Sequence, residues 1–141
     1  MRYDIKLHAQ VGLTTLLQQI ISIAWYVYFG LAWALAVNYP LGRVNFYEPR
    51  LYLPFVYAIG ASLLINYGYY YLCQRLLIYK RLAGCGWLLS AWLGLVFLNT
   101  LSHHQFSKIA WTVTWIDSGR DLLALLLTVL ILTPKDSRLQ Q

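Results

Sequence analysis

The chain has 141 residues, of which 60% are hydrophobic and only 11% are charged, with a formal net charge of +6. An average soluble domain has about 25% charged residues, and a fold of this length could not bury so much apolar surface. These values argue against a water-soluble protein and favour an integral membrane protein. The basic residues lie singly or in pairs at the ends of apolar runs, which suits contact with membrane lipids and argues against a nucleic-acid partner.

The first predicted membrane span covers about residues 11–37 and contains no charged residue. Crossing a hydrocarbon core of ~30 Å takes roughly 20 apolar residues, so the segment is long enough. Gln18 and Gln19 are its most polar members and are candidates for hydrogen bonds to another helix. The run is too long for a signal-peptide h-region, and no A-x-A-like cleavage site follows it, so we expect an uncleaved span.

The next segment, about residues 38–53, is predicted to form an outer loop on the membrane surface. It carries Glu48 and Arg50 together with two prolines and several aromatic residues. A disordered linker would contain fewer aromatic residues. We therefore expect an ordered polar and aromatic cap.

The second predicted span covers about residues 54–72. It begins with Pro54, whose missing N–H costs nothing in the first turn of a helix. Asn66, in its second half, is a further candidate for interhelical hydrogen bonding. A short basic inner loop at about residues 73–83 then turns the chain back.

The third predicted span covers about residues 84–101 and carries a stripe of small residues. Gly86, Ser90 and Gly94 recur every four residues, and this spacing lets the backbone of another helix approach closely. Two interpretations stay open. The stripe either packs inside the chain's own bundle or forms an interface with another subunit.

The fourth predicted span covers about residues 114–133. Its strongly apolar part, residues 122–133, is only about 18 Å long at helical rise, which is too short to cross the hydrocarbon core. In one interpretation the helix begins upstream near Trp111. Asp117 and Arg120, three residues apart, could then pair on one helix face.

The other interpretation, which we prefer on sequence alone, starts the last helix at Ser118. Ser118 and Asp121 have the spacing of a capping box, in which Ser118 is the N-cap residue and Asp121 reaches back to it. The residues before Ser118 would then form an interfacial segment. In both interpretations Asp117, Arg120 and Asp121 form a charged cluster near the outer membrane face.

Basic residues beside the predicted spans indicate the orientation, because loops rich in Lys and Arg stay in the cytoplasm. Seven lie on one side and four on the other. The predicted fold is therefore an all-α bundle of four transmembrane helices with N- and C-termini cytoplasmic and outer loops at about residues 38–53 and 102–117. The inner residues are Arg2, Lys6, Arg75, Lys80, Arg81, Lys135 and Arg138, and the outer ones are Arg43, Arg50, Lys108 and Arg120.

No metal, haem or other cofactor is predicted. His103 and His104 are adjacent, so on a helix their side chains point about 100° apart and cannot both face one ligand well. His8 is predicted on the opposite side of the membrane. Cys73 and Cys85 have neither CxxC nor metal-ligand spacing and are predicted to be structural thiols.

Two alternative functions involve chemistry or transport. If the outer loops fold together, Glu48, Arg50, Asp117, Arg120 and Asp121 could form the polar centre of a small enzyme that acts on lipid-linked substrates. No GxSxG, HExxH or phosphate-cradling glycine motif supports that hypothesis. A small oligomeric transporter is the other alternative, although three of the four predicted spans lack ionisable residues in their interiors.

The favoured hypothesis is a non-enzymatic protein that acts through helix–helix contact with another integral membrane protein or with copies of itself. Its candidate contact residues are Gln18, Gln19, Asn66, Gly86, Ser90 and Gly94. Two versions are an accessory or assembly subunit of a membrane complex and an immunity-type protein against a pore-forming toxin. The expected location is a bacterial inner membrane.

Overall fold

The structure is a computed structural model that describes residues 2–38 and 53–134, the side chains of residues 2–4 excepted. These ranges contain four helices and no β-strand, which confirms the all-α class predicted from the sequence. The helices are α1 (Arg2–Ala36), α2 (Leu53–Arg75), α3 (Arg81–Phe106) and α4 (Trp111–Leu132). Within α3 the segment Trp92–Phe97 is π-helical, between α-helical Arg81–Ala91 and Leu98–Phe106.

Successive helices run in opposite directions, and α4 packs against all three of the others. Hydrogen bonds show the direction of α1 against α4, because Gln18 bonds to Thr128 whereas Trp25, farther along α1, bonds to Ile116. The start of α1, the turn between α2 and α3, and the end of α4 therefore lie at one end of the bundle. The turn between α3 and α4 lies at the other end.

Two helices are long and apolar enough to cross a membrane. Ile5–Ala36 of α1 and Arg81–Phe106 contain windows with mean hydropathy of 1.5 and 1.6. Only 6% of each window is buried inside the bundle, whereas the core helix of a soluble protein is mostly buried. Large apolar side chains such as Val27, Leu95 and Phe106 are 81%, 76% and 87% exposed.

The interior combines an apolar cluster at one end with buried polar side chains along the rest of the bundle. The apolar cluster lies where α1 starts and α4 ends, and it consists of Leu7, Val11, Tyr69, Cys73, Ile78, Leu88, Val129 and Leu132. The buried polar residues are Thr14, Thr15, Gln18, Asn66, Thr114, Ser118 and Thr128. Because a buried polar group without a hydrogen bond is costly, these residues are expected to hydrogen-bond inside the bundle.

α2 and α3 both end on a Schellman motif built without glycine. Leu77 after α2 and Lys108 after α3 each have φ of 55°, in the left-handed region that usually favours glycine. After α2 the N–H of Ile78 donates to the carbonyl O of Cys73 at 2.8 Å, which is the long hydrogen bond of the motif. The same pattern recurs after α3. Both helices therefore extend beyond their predicted ends at about residues 72 and 101.

The start of α4 corrects the preferred sequence interpretation. α4 runs unbroken from Trp111 and its N-cap residue is Ala110, so the prediction of a capping box at Ser118 is wrong. Val113 and Ile116, which precede Ser118, are 2% and 5% exposed. Burial of these apolar residues against neighbouring helices stabilises the upstream turns, because tertiary packing of one face supplies most helix stability.

Of the two predicted outer loops, only the second can be compared with the structure. Residues 39–52, which make up nearly all of the predicted first outer loop, lie outside the described residues. The predicted second outer loop, at about residues 102–117, is mostly helical, and only residues 107–110 connect α3 to α4. At the other end of the chain, α1 begins at Arg2, well before the predicted start of the first span.

Candidate functional site

A buried polar network joins α1, α2 and α4 at mid-bundle. The Gln18 Nε2 group donates to Thr128 Oγ1 at 2.8 Å and to the Ala124 carbonyl O at 2.9 Å. Asn66 Nδ2 donates to Gln18 Oε1 and to Thr15 Oγ1, both at 3.0 Å. Thr128 Oγ1 in turn donates to Asn66 Oδ1 at 2.8 Å.

Each side chain of this network is at most 5% exposed. Its polar atoms are matched donor to acceptor, and such satisfied networks make one helix arrangement more favourable than its alternatives. Gln18 and Asn66 were candidates for contact with another membrane protein, but here they are buried and bond to each other inside the chain's own bundle. Thr15 and Thr128 were missed, because a threonine in an apolar run can also bond to its own helix.

Gln19 and Gln18 lie on different faces of α1. Gln19 is half-buried, and its Nε2 donates to Ser62 Oγ of α2 at 3.2 Å. It also lines a cavity between α1 and α2. Adjacent glutamines therefore have different surroundings, as the rotation of about 100° per residue requires.

Asp117 is held by two aromatic side chains of α1. The Tyr26 hydroxyl donates to Asp117 Oδ1 at 2.6 Å, and the Trp33 indole N–H donates to Oδ2 at 3.4 Å. A hydrogen bond to a charged carboxylate is shorter and stronger than one between neutral groups. This cluster fixes the second half of α1 against the first half of α4.

Asp117 and Arg120, which could pair in one of the two sequence interpretations, form no ion pair with each other in the structure. Arg120 instead forms its ion pair with its neighbour Asp121, and these side chains are 28% and 32% exposed. Asp117 accepts hydrogen bonds from Tyr26 and Trp33 of α1. Sequence spacing within α4 does not reveal that residues of α1 compete with Arg120 for this carboxylate. Within the described part of the chain, Arg120 Nε and Ser118 Oγ are buried polar atoms without a hydrogen-bond partner.

Two tryptophans on different helices bond to the first half of α4. The indole N–H of Trp25 on α1 donates to the Ile116 carbonyl O at 2.8 Å, and that of Trp92 on α3 donates to the Ser118 carbonyl O at 2.9 Å. Trp92 begins the π-helical segment and stacks on Phe97 with ring centroids 5.3 Å apart. Sequence reasoning missed this pair. It could have been found, because both tryptophans lie inside predicted spans, where an indole N–H needs a hydrogen-bond acceptor.

The small-residue stripe of α3 lies on the outside of the bundle. Gly86, Ser90 and Gly94 are all exposed, and a Cβ atom added at either glycine would meet no atom within 4 Å. Ser90 Oγ donates to the Gly86 carbonyl O at 3.0 Å. The helices described here therefore do not cover the stripe, and its one hydroxyl is already satisfied.

The remaining sequence candidates do not assemble into a catalytic or metal centre in the described residues. Glu48 and Arg50 lie outside those residues. His104 Nδ1 and Thr114 Oγ1 share a hydrogen bond at 2.8 Å, whereas His103 is exposed. No group of three His, Cys, Asp or Glu side chains that could hold a metal occurs within the part of the chain that the structure describes.

Comparison with known proteins gives one match. No curated protein and no solved structure matches the chain. The sequence profile of the DUF1761 family, described as a protein of unknown function, matches residues 9–133. This match covers most of α1 and all of α2, α3 and α4, so the chain belongs to the DUF1761 family.

Proposed function

We propose that the chain is a multi-pass protein of a bacterial inner membrane, with four spans and both termini in the cytoplasm. We further propose that it acts without catalysis, by binding another integral membrane protein or a second copy of itself. The observation that carries this proposal is the exposed stripe of Gly86, Ser90 and Gly94 on α3.

The distribution of apolar side chains supports a position in the bilayer. α1 and α3 expose large apolar residues over most of their length, while polar side chains hydrogen-bond inside the bundle. α2 and α4 have 23 and 22 residues, about 33–35 Å at helical rise, which is enough for a ~30 Å hydrocarbon core. In α4, Asp117 accepts a hydrogen bond from Tyr26 and Arg120 pairs with Asp121, and charged groups inside membrane proteins are normally paired in this way.

The distribution of basic residues supports the proposed orientation. Arg75, Lys80 and Arg81 flank the turn between α2 and α3, and all are exposed. This turn shares one end of the bundle with the start of α1, where Lys6 is also exposed. A concentration of Lys and Arg beside spans marks the cytoplasmic side.

The orientation predicts opposite labelling of two turn residues. In a background with Cys73→Ala and Cys85→Ala, Ser107→Cys should react with a membrane-impermeant maleimide added to intact spheroplasts. Lys80→Cys should react only after the membrane is permeabilised. Both positions are exposed, so accessibility to the reagent depends on the side of the membrane. Labelling of both from the same side would contradict the four-span topology.

The stripe of Gly86, Ser90 and Gly94 supports a docking function, because its small side chains suit close contact with another helix more than contact with lipid chains. Helix association in membranes depends on close van der Waals packing, and small residues permit the closest approach of two backbones. The stripe extends over about 12 Å from Gly86 to Gly94. Its backbone is covered by no side chain of the described bundle, so a partner helix could lie directly along it.

Photo-crosslinking tests this interface. A photoreactive amino acid at Ser90 should give a discrete adduct in native membranes, and Gly86→Ile or Gly94→Ile should lower its yield at least tenfold, a loss of about 1.4 kcal/mol in affinity. The isoleucine side chain would hold the partner backbone away. The mass of the adduct, read by mass spectrometry, distinguishes a second copy from a different protein.

Matched positions on α2 control for general effects. Leu64 is 76% exposed, and the same photoreactive residue there should give no discrete adduct. Gly68 is exposed and a Cβ there would meet nothing within 4 Å, so Gly68→Ile should leave the Ser90 adduct unchanged. If Ser90 and Leu64 give the same pattern, the stripe is not an interface.

A further inference from the structure

A cavity of about 470 Å³ opens between α1 and α2 and reaches α4. Its volume falls within the roughly 300–1,000 Å³ of small-molecule sites. Ile23 and Val27 of α1 and Phe55 and Ala58 of α2 form its apolar walls, and Arg120 of α4 lies among its lining residues. Ile23, Val27 and Phe55 are more than half exposed, so the cavity opens sideways onto the outer surface of the bundle.

The cavity follows from the way α1 changes partners along its length. In its first half, α1 is joined to α2 by the hydrogen bonds of Gln18 and Gln19. Gln18 also bonds to α4. In the second half of α1, Trp25 and Tyr26 bond to α4 only. The first turns of α2 are consequently left without hydrogen bonds to α1 beyond Gln19 among the described residues.

Arg120 gives this apolar cavity its single charged lining residue among the residues described. One terminal nitrogen of its guanidinium pairs with Asp121, but Nε is buried and has no hydrogen-bond partner within the described ranges. Neither Asp121 nor Asp117 lines the cavity. The guanidinium has five N–H donors in a planar fork, so an anionic group in the cavity could be bound while the Asp121 pair is kept.

The position of Arg120 along α4 suits contact with the head group of a lipid that enters the cavity from the side of the bundle. It lies nine residues after Trp111, about 14 Å along the helix. It lines the same cavity as Pro54 and Phe55 of the first turn of α2, which lies towards the outer end of the bundle. An ionisable residue inside a membrane helix normally marks a functional site.

We propose that this cavity binds one anionic phospholipid of the surrounding bilayer. The phosphate contacts Arg120, and an acyl chain lies against Ile23, Val27 and Phe55. The inference rests on the proposed position in the membrane and is independent of the stripe on α3. Charge complementarity favours a phospholipid with a net negative head over a zwitterionic one, because the cavity offers the cation Arg120 for the phosphate and, among the described residues, no lining carboxylate for a cationic head group.

Native mass spectrometry of the full chain in a nonionic detergent tests the proposal. Phosphatidylglycerol and phosphatidylcholine with the same acyl chains are added in equal amounts. The wild-type chain should retain one phosphatidylglycerol with at least tenfold preference, and Arg120→Gln should abolish that preference. Arg75→Gln, at an exposed arginine at the opposite end of the bundle, should keep it.

A second variant covers the case in which Arg120→Gln fails to fold. Ala58→Trp fills the apolar wall from α2 and leaves both Arg120 and Asp121 of α4 unchanged in sequence, and it should lower retention of phosphatidylglycerol at least tenfold. Unchanged preference in Arg120→Gln, or unchanged retention in Ala58→Trp, would overturn the proposal. Displacement of the lipid by inorganic phosphate alone would also overturn it, because the site would then bind a free anion. The assay detects lipid bound to the isolated chain. Its result therefore does not depend on whether the photoreactive residue at Ser90 forms an adduct with a partner protein.

Discussion

Replacing Gln18 with leucine is expected to lower the free energy of unfolding by about 3 kcal/mol. The substitution removes the donor to Thr128 and to the Ala124 carbonyl, and it leaves the Asn66 amide without its Gln18 partner. Individual interhelical hydrogen bonds in membrane bundles contribute roughly 0.6–2 kcal/mol, and here several are lost together. Unfolding in increasing SDS, followed by tryptophan fluorescence of the detergent-solubilised chain, measures the change.

The adjacent glutamine supplies the matched control. Gln19→Leu removes only the hydrogen bond to Ser62 from a half-buried side chain, so its cost should stay below about 1 kcal/mol. Equal losses from the two substitutions would contradict the assignment of Gln18 to the network.

A double-mutant cycle tests whether Gln18 and Asn66 act as one unit. Asn66→Leu alone should be destabilising, because it leaves Gln18 Oε1 without its donor. The double variant should lose less than the sum of the single variants, with a coupling of about 0.5–3 kcal/mol. Replacing both partners by apolar groups can approach neutrality, since no unpaired polar atom then remains. Additive losses would show that the two amides are independent.

The helical class could be predicted from sequence because long apolar runs can satisfy their backbone groups in lipid only as helices or closed barrels. The amide residues inside those runs were also visible as candidates for contacts between helices. The sequence did not show which amide side chains hydrogen-bond to each other, because that depends on the rotation of each helix about its axis. Gln18 faces Asn66 and Thr128, whereas Gln19 faces Ser62 and the cavity.

The helix ends were harder to predict, for identifiable reasons. Leu77 and Lys108 take left-handed conformations that sequence rules expect of glycine, and the resulting motifs extend α2 and α3. Ser118 has the sequence pattern of a helix cap but lies inside α4. At the start of α4, burial of Val113 and Ile116 against neighbouring helices outweighs the local signal at Ser118, and a single sequence records the local signal only.

The charged cluster of α4 shows a further limit of spacing arguments. Residues three apart on a helix lie close together, so one sequence interpretation allowed Asp117 and Arg120 to pair. Instead, Tyr26 and Trp33 of α1 donate hydrogen bonds to Asp117, and Arg120 pairs with Asp121. Partners that come from another helix can be identified only after the helices are packed.

Gly84→Ala is expected to lower the free energy of unfolding by about 1–3 kcal/mol, the usual cost of overpacking. Gly84 is buried, and a Cβ added there would overlap the Tyr69 hydroxyl and contact Val129 at 3.5 Å. Tyr69 has little room to move, because it is 8% exposed and its hydroxyl shares a hydrogen bond with Thr133 at 2.9 Å. The same SDS unfolding experiment measures the loss.

Gly86→Ala is the matched control, since it makes the same change two residues along the same helix. A Cβ at Gly86 would meet nothing within 4 Å, and alanine is favoured over glycine inside a helix by roughly 0.5–1 kcal/mol, so this variant should be neutral or slightly more stable. Adding Tyr69→Phe to Gly84→Ala removes the overlapping hydroxyl, so the double variant should lose less than the sum of the single losses. If Gly84→Ala proves as stable as Gly86→Ala, the close approach of α3 to Tyr69 on α2 is not what limits the residue at position 84.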